Sequence, residues 1–220
     1  MVELVADGDI TVTTGGSGVE VERTSRVASS HATYKASVSG DRLVVKHVCA
    51  WWHPGYCEAG LNVTVPSGTE VVVRGSDGSV EATSLTGPLT VHTSDGETTI
   101  SDIDGDVSLQ SADGDATIDD VRGDVSARSS DGRIDVANVT GSVTTHTSDG
   151  RTTIAEVDGN VDARASNGDV TVYGNGEPVA LTIETNDGRQ TVDAPTDPSA
   201  SVSVHIHTVD GDATYLGPRS

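Results

Sequence analysis

From residue 71 to residue 176 the apolar positions fall into columns eighteen residues apart. One column reads Val80, Thr98, Ala116, Ile134, Thr152, Val170, and two residues on another reads Ala82, Ile100, Ile118, Val136, Ile154, Val172. Three more follow in each repeat: Leu85, Ile103, Val121, Val139, Val157; then Leu89, Val107, Val125, Val143, Val161; then Val91, Leu109, Ala127, Thr145, Ala163. Within each run the alternation has period two, which in a strand sends one side chain inward and the next outward. Turn residues punctuate the runs on the same period. Asp or Asn precedes Gly at Asp77, Asp95, Asp113, Asp131, Asp149 and Asn167, always after Ser or Ala, and a second glycine series runs through Gly87, Gly105, Gly123, Gly141 and Gly159.

The pattern predicts an all-β fold, a parallel β-solenoid of 18-residue coils, each with two short strands. A single coil cannot bury its inner face, so its neighbours complete the core. Asp-Gly is also a hairpin signal. An unbroken eighteen-residue spacing favours stacked coils over a sandwich of hairpins, while the hand of the winding stays open. Residues 1–70 carry strand signals at 9–13, 19–22, 43–48 and 61–65 without the fixed period, and read as an irregular β N-terminal part. Residues 71–176 form the regular solenoid. In 177–220 the Asp-Gly spacing loosens around Pro195 and Pro198, which predicts irregular last coils and a C-terminal cap.

Composition agrees. Phe is absent and Gly numbers 25, as narrow sheets of small β-branched residues with many turns require. The formal charge of −21 argues against a nucleic-acid partner, which needs a cationic footprint. No apolar run reaches the ~18 residues of a membrane span. The Met1-Val2-Glu3 start has no signal-peptide character, so export or anchoring would rest on a segment outside these residues.

Units such as Ser130-Asp131-Gly132-Arg133-Ile134-Asp135-Val136 and Gly141-Ser142-Val143-Thr144 resemble the bacterial "putative adhesin" family of β-strand repeats, a domain of unknown function. The step Leu61-Asn62-Val63-Thr64-Val65-Pro66-Ser67-Gly68-Thr69 is similar to that family's opening of its repeats, and the segment from Cys49 to Cys57 to one in its actinobacterial members. The resemblance spans roughly residues 40–215. It implies a surface-exposed solenoid, often behind a membrane anchor, and brings no catalytic residues.

Four chemistries can be weighed on the residues. Cys49 and Cys57 flank a Pro-Gly turn and suit a disulfide, hence an oxidising compartment; the rivals are zinc held by His47, Cys49, His53 and Cys57, or free thiols. Trp51, Trp52 and Tyr56 in that loop form either a binding patch or a lid on the first coil. Asp95, Asp104, Asp106, Asp113, Asp120 and Asp124 are the candidates for calcium, an oxygen-seeking ion, against the plain reading of turn-forming aspartates. Thr90, Ser108, Ser126 and Thr144, and with them Thr93, Ser111, Ser129 and Thr147, read as outward hydroxyl columns. The bulky file His92, Gln110, Arg128, His146, Arg164 beside them argues against an ice-binding array. No acid–base pair in a dry cleft is legible. The expectation is therefore a non-enzymatic, extracellular or cell-surface scaffold or binding module, adhesion-like, whose partner is a surface protein, a glycan or a second copy. A structural spacer or self-assembling stack is the alternative, and a calcium-responsive module the weaker one. No other cofactor is expected.

Overall fold

The computed structural model describes residues 1–27, 32–49 and 57–219. Among the described residues there are twenty-two strands and no helix. Those before the repeat are β1 (Val2–Ala6), β2 (Ile10–Thr14), β3 (Glu20–Val27), β4 (Ala32–Ser39), β5 (Arg42–Cys49), β6 (Cys57–Val65) and β7 (Val71–Gly75). The repeat supplies β8 (Val80–Leu85), β9 (Leu89–His92), β10 (Thr98–Ile103), β11 (Val107–Ser111), β12 (Ala116–Val121), β13 (Val125–Ser129), β14 (Ile134–Val139), β15 (Val143–Thr147), β16 (Thr152–Val157), β17 (Val161–Ala165) and β18 (Val170–Tyr173). The chain closes with β19 (Ala180–Asp187), β20 (Gln190–Asp193), β21 (Ser203–Asp210) and β22 (Ala213–Leu216).

These strands build a β-solenoid of two facing sheets, eleven strands each. In the repeat, odd-numbered strands stack in the first sheet and even-numbered strands in the second, all parallel. Each residue faces the one eighteen positions later, as in Val107↔Val125 and Ile118↔Val136. The five predicted apolar columns are buried throughout and form one continuous core.

A sixth inward column corrects the sequence reading. Thr93, Ser111, Ser129 and Thr147 face inward and are buried, although they were expected outside. Alternation demands it: with Leu109 inward and Gln110 outward, Ser111 returns to the interior. The hydroxyls of Ser111, Ser129 and Thr147 serve the corner that follows, while that of Thr93 is buried without a partner. Gly132 N–H donates to Ser129 Oγ at 3.1 Å, and Thr147 Oγ1 lies 3.4 Å from Thr152 Oγ1.

Five repeat strands of the second sheet, β8, β10, β12, β14 and β16, carry an irregularity that stacks with its copies. Ser84, Asp102, Asp120, Asn138 and Glu156 all hold φ of +52° to +54°. The residue stays out of the ladder, where Ser101↔Asp119 is followed directly by Ile103↔Val121. One left-handed residue turns the strand so that the position three after Ile100, rather than two, points inward. Asp and Asn tolerate this conformation better than most residues.

At the corners of the repeat the glycines are fixed by close approach. A Cβ on Gly96, Gly132 or Gly168 would lie 1.9, 2.1 or 1.8 Å from the carbonyl oxygen of the glycine eighteen residues before. The second series is nearly as tight, with 2.5 Å from Gly123 to Gly105 O. The corners stack backbone on backbone at strand spacing, and no side chain fits between them.

The ends depart from chain order. The first sheet runs β19-β21-β17-β15-β13-β11-β9-β7-β1-β5-β4, and the second β20-β22-β18-β16-β14-β12-β10-β8-β2-β6-β3. The coil β1–β2 therefore sits between β5–β6 and β7–β8, and β21–β22 between β17–β18 and β19–β20. At the outer N-terminal end β3 and β4 add antiparallel to β6 and β5. There Arg23 lies 4.8 Å over the Tyr34 ring, and Tyr34 packs edge-on to His47, covering the core.

Two substitutions check the register. Val139→Asp places an unpaired charge at a site 1% exposed and should cost about 3–5 kcal/mol or unfold the chain, whereas exposed Thr144→Asp should change stability by less than about 0.5 kcal/mol. Similar denaturation midpoints for the two would contradict the column assignment. Gly132→Ala should destabilise by about 3 kcal/mol or more, while Gly18→Ala, with nothing within 4 Å of the added carbon, should be nearly neutral in urea unfolding.

Candidate functional site

The first corner joins the first sheet to the second. In the outermost parallel coil it is closed covalently: Cys49, the last residue of β5, is bonded to Cys57, the first of β6, with Cα atoms 6.1 Å apart. Closing so short a loop stabilises by roughly 2–3 kcal/mol in the chain-entropy model. The same corner is tied to its neighbours by Asp7, whose carboxylate accepts from Cys49 N–H at 2.7 Å and from Ser76 Oγ at 3.2 Å. The zinc alternative is not formed. Both sulfurs are spent on each other, and His47 is turned into the core with Nδ1 2.9 Å from Gly60 O. His53 and the aromatic patch Trp51, Trp52 and Tyr56 lie outside the described residues.

Two sets of aspartates stand at the two opposite corners and do two kinds of work. Those that follow a glycine act as rungs. Asp106 Oδ1 accepts from Asp124 N–H at 3.0 Å, Asp124 Oδ1 from Ser142 N–H at 2.8 Å, and Asp115 Oδ1 from Arg133 N–H at 2.8 Å. Asp9, Asp169 and Asp212 repeat the arrangement near the ends of the stack. In each case a carboxylate satisfies an amide of the next coil where the ladder is interrupted. Asp77, Asp95, Asp113, Asp131 and Asp149, which precede glycine at the first corner, stand in an exposed file instead. Crowding of that file is felt at Asp131, whose pKa is raised by desolvation and then by the carboxylates of Asp113 and Asp149. Asn167 relieves the end of the row, its Nδ2 donating to Asp149 Oδ1 at 2.6 Å.

Of the six residues proposed for calcium, Asp95 and Asp113 lie at the first corner, while Asp104, Asp106, Asp120 and Asp124 lie at the second. Asp106 and Asp124 already bind backbone amides, and Asp120 is one of the left-handed strand residues. Among the described residues no three acidic, histidine or cysteine side chains converge on one point.

The outer faces differ in charge. On the second sheet the outward columns are mainly hydroxyl and acidic, as in Glu81, Thr99, Thr117, Asp135 and Thr153. On the first sheet one outward column gathers cations. Through the repeat it reads His92, Gln110, Arg128, His146, Arg164. The ladder carries it on through Arg74, Val5, Lys46 and Lys35 in one direction, and through His207 and Glu184 in the other. Its paired members are Arg74 with Glu3 at 3.1 Å, Arg164 with Asp162 at 2.8 Å, and His207 with Glu184 at 3.5 Å. Glu3 is nearly buried beneath Arg42 and Arg74. Burial works against its charge, but the two guanidinium groups outweigh it and hold the pKa below the ordinary carboxylate value. The extent of this column was not read from the sequence, since its members outside the repeat follow no period.

The Toastrack DUF4097 family profile matches residues 5–216, nearly the whole chain. The chain belongs to the Toastrack DUF4097 family. No curated protein sequence matches it. Two solved structures are similar over 98% of this chain and 91% of their own. One is described as a "putative adhesin" from Bacteroides fragilis NCTC 9343, at 14% identity and TM-score 0.45. The other is described as a "putative cell adhesion protein" from Clostridium sporogenes ATCC 15579, at 9% identity and TM-score 0.33.

The Toastrack interior offers little room for a ligand. A cavity between the last coils, lined by Val157, Val161, Val172, Val204 and Tyr215, holds about 40 Å³, space for a water or two against the ~300 Å³ or more of a small-molecule site. The Tyr215 hydroxyl is buried without a hydrogen-bond partner, and burial pushes its pKa up. The chemistry of this Toastrack chain is thus carried by its corners and outer faces. The acidic file has a pH signature. The folded state raises the pKa of Asp131, so repulsion costs stability when the group is ionised and is relieved as pH falls through the raised value. Asp131→Asn should therefore raise the melting temperature at neutral pH and low salt. The gain should shrink as pH falls into the carboxylate range or as salt is added; a gain that grows toward acid pH would contradict the assignment.

Proposed function

We propose that the chain is a non-catalytic module displayed outside the cell, a stiff rod that binds through its long outer faces in an adhesion-like role. The observation that carries this reading is how the two ends are finished. A self-assembling stack needs parallel edges open for the next copy. Here the N-terminal edge is antiparallel and carries Glu20, Glu22, Arg26 and Lys35. The C-terminal edge strands carry Glu184, Asp187 and Asp193. Charged edge strands of this kind oppose edge-to-edge pairing. What is left for contact is the length of the two sheets, ten strand steps of ~4.8 Å, or about 48 Å.

Two further features support the reading. A disulfide at the outer coil fits an oxidising setting. The pairs His205–Asp162 and His207–Glu184 lie at 3.5 Å on an open face, where water screens them, rather than in the dry cleft that acid–base catalysis uses.

Beads coated with the chain should retain bacterial cells or purified envelope above the level of uncoated beads, and light scattering should report one molecular mass across concentration. Mass that grows with concentration would favour the self-assembling spacer instead, and absence of retention on every surface tried would remove the adhesion-like role.

A further inference from the structure

Among the described residues the cationic column of the first sheet has no counterpart of its length. The chain has thirteen Lys and Arg residues against thirty-four acids, yet Lys35, Lys46, Arg74, Arg128 and Arg164 share one outward file, joined by three of the seven histidines. Lys35, Lys46 and Arg128 have no carboxylate within ion-pair distance among the described residues. The file is straight, because every step along it is one strand spacing. Lys46 and Arg74 stand two strands apart, as do Arg128 and Arg164, while Arg74 and Arg128 stand three apart. Apart from Lys35 and Lys46, which stand on neighbouring strands, fixed positive charges therefore recur every ~10–14 Å along the solenoid axis.

What borders the file narrows the ligand. Hydroxyls line it on one side at Thr90, Ser108, Ser126 and Thr144 and on the other at Ser94, Ser130 and Ser148. Beyond the hydroxyls lie the two acidic corners. A partner must be narrow, hydrogen-bond through hydroxyl groups, and carry negative charge sparsely. Nucleic acid fails on charge density, with a phosphate every ~3.4 Å per strand, most of which would meet no cation and several of which would approach the acidic corners. The file also holds no Trp, Tyr or Phe, the large rings that make the strongest stacking platforms for bases.

We propose that this file is the track for a linear acidic polysaccharide laid along the first sheet, its carboxylates on the Lys and Arg positions and its hydroxyls on the flanking Ser and Thr. This rests on the reading of the chain as a binding module and names the ligand class of one face.

The test titrates alginate, a linear polyuronate, into the full chain at low salt by calorimetry, with dextran and single-stranded DNA beside it. Alginate should bind, with log affinity falling linearly in log salt, and dextran and DNA should bind weakly or not at all. Lys46→Glu combined with Arg128→Glu should weaken alginate by about tenfold or more, with melting temperature retained because both sites are exposed. Arg133→Glu, at an exposed corner off the file, should leave the affinity unchanged. No alginate binding, an equal loss in Arg133→Glu, or DNA binding as tight as alginate would overturn the proposal. Cell retention by coated beads separates the two readings. Retention that persists in the double variant and ignores added alginate removes the track but keeps the module. If the wild type retains no cells, the module reading fails, and the alginate titration still decides the track.

Discussion

Coils can stack at strand spacing only if their corners do so too, and corners are where side chains would intrude. This chain meets the condition twice per coil, with glycines whose missing Cβ leaves room for the carbonyl oxygen of the coil below, under 2.2 Å away from where Gly96, Gly132 or Gly168 would carry one. The core columns, the straight outer files and the rungs of Asp106, Asp115 and Asp124 all follow from that contact. Once the corners are superposed, every other position is superposed as well. The corner carboxylates then take up amides that the interrupted ladder leaves over.

The same contact explains how so acidic a chain can hold a compact fold. Among the described residues Asp7, Asp9, Asp106, Asp115, Asp124, Asp169 and Asp212 accept from backbone amides at the corners and are structural in origin. The remainder stand in exposed files where water and salt screen their repulsion. Acidity gathers at the two narrow edges and on the second sheet, while on the first sheet Glu3, Asp162 and Glu184 each sit beside a cation or histidine, which leaves that sheet to present a different chemistry. Superposition turns single residues into files, so one Arg per coil or every second coil is enough to create a line of charge tens of ångströms long.

Most of the core was legible because its signal is a period. Val80 through Val170 and Leu89 through Val161 announce their columns without any knowledge of contacts. The column of Thr93, Ser111, Ser129 and Thr147 was misplaced because hydroxyls read as outward by chemistry, although strand alternation already placed them inside. The left-handed residues had left a trace in the three-residue gap from Ile100 to Ile103, which strict alternation cannot bridge. The arrangement of the ends had none, since β1 meets β5 and β7, whose residues lie some forty and seventy positions further along the chain. The disulfide was one of three readings open to Cys49 and Cys57, suggested by the short Pro-Gly turn they flank. The cationic file was visible only in its repeat portion, because Lys35, Lys46, Arg74 and His207 join it through pairings that no periodicity encodes.

The interleaving of both extremities has a bearing on how such a chain can change length over evolution. Open-ended tandem arrays can gain or shed units at either terminus. Here the coil nearest each terminus is clamped between two others, so trimming the chain from either side opens a gap inside the stack rather than shortening it. Duplication of an eighteen-residue unit in the middle, by contrast, lengthens the rod and both of its files while leaving the two locked extremities unaltered.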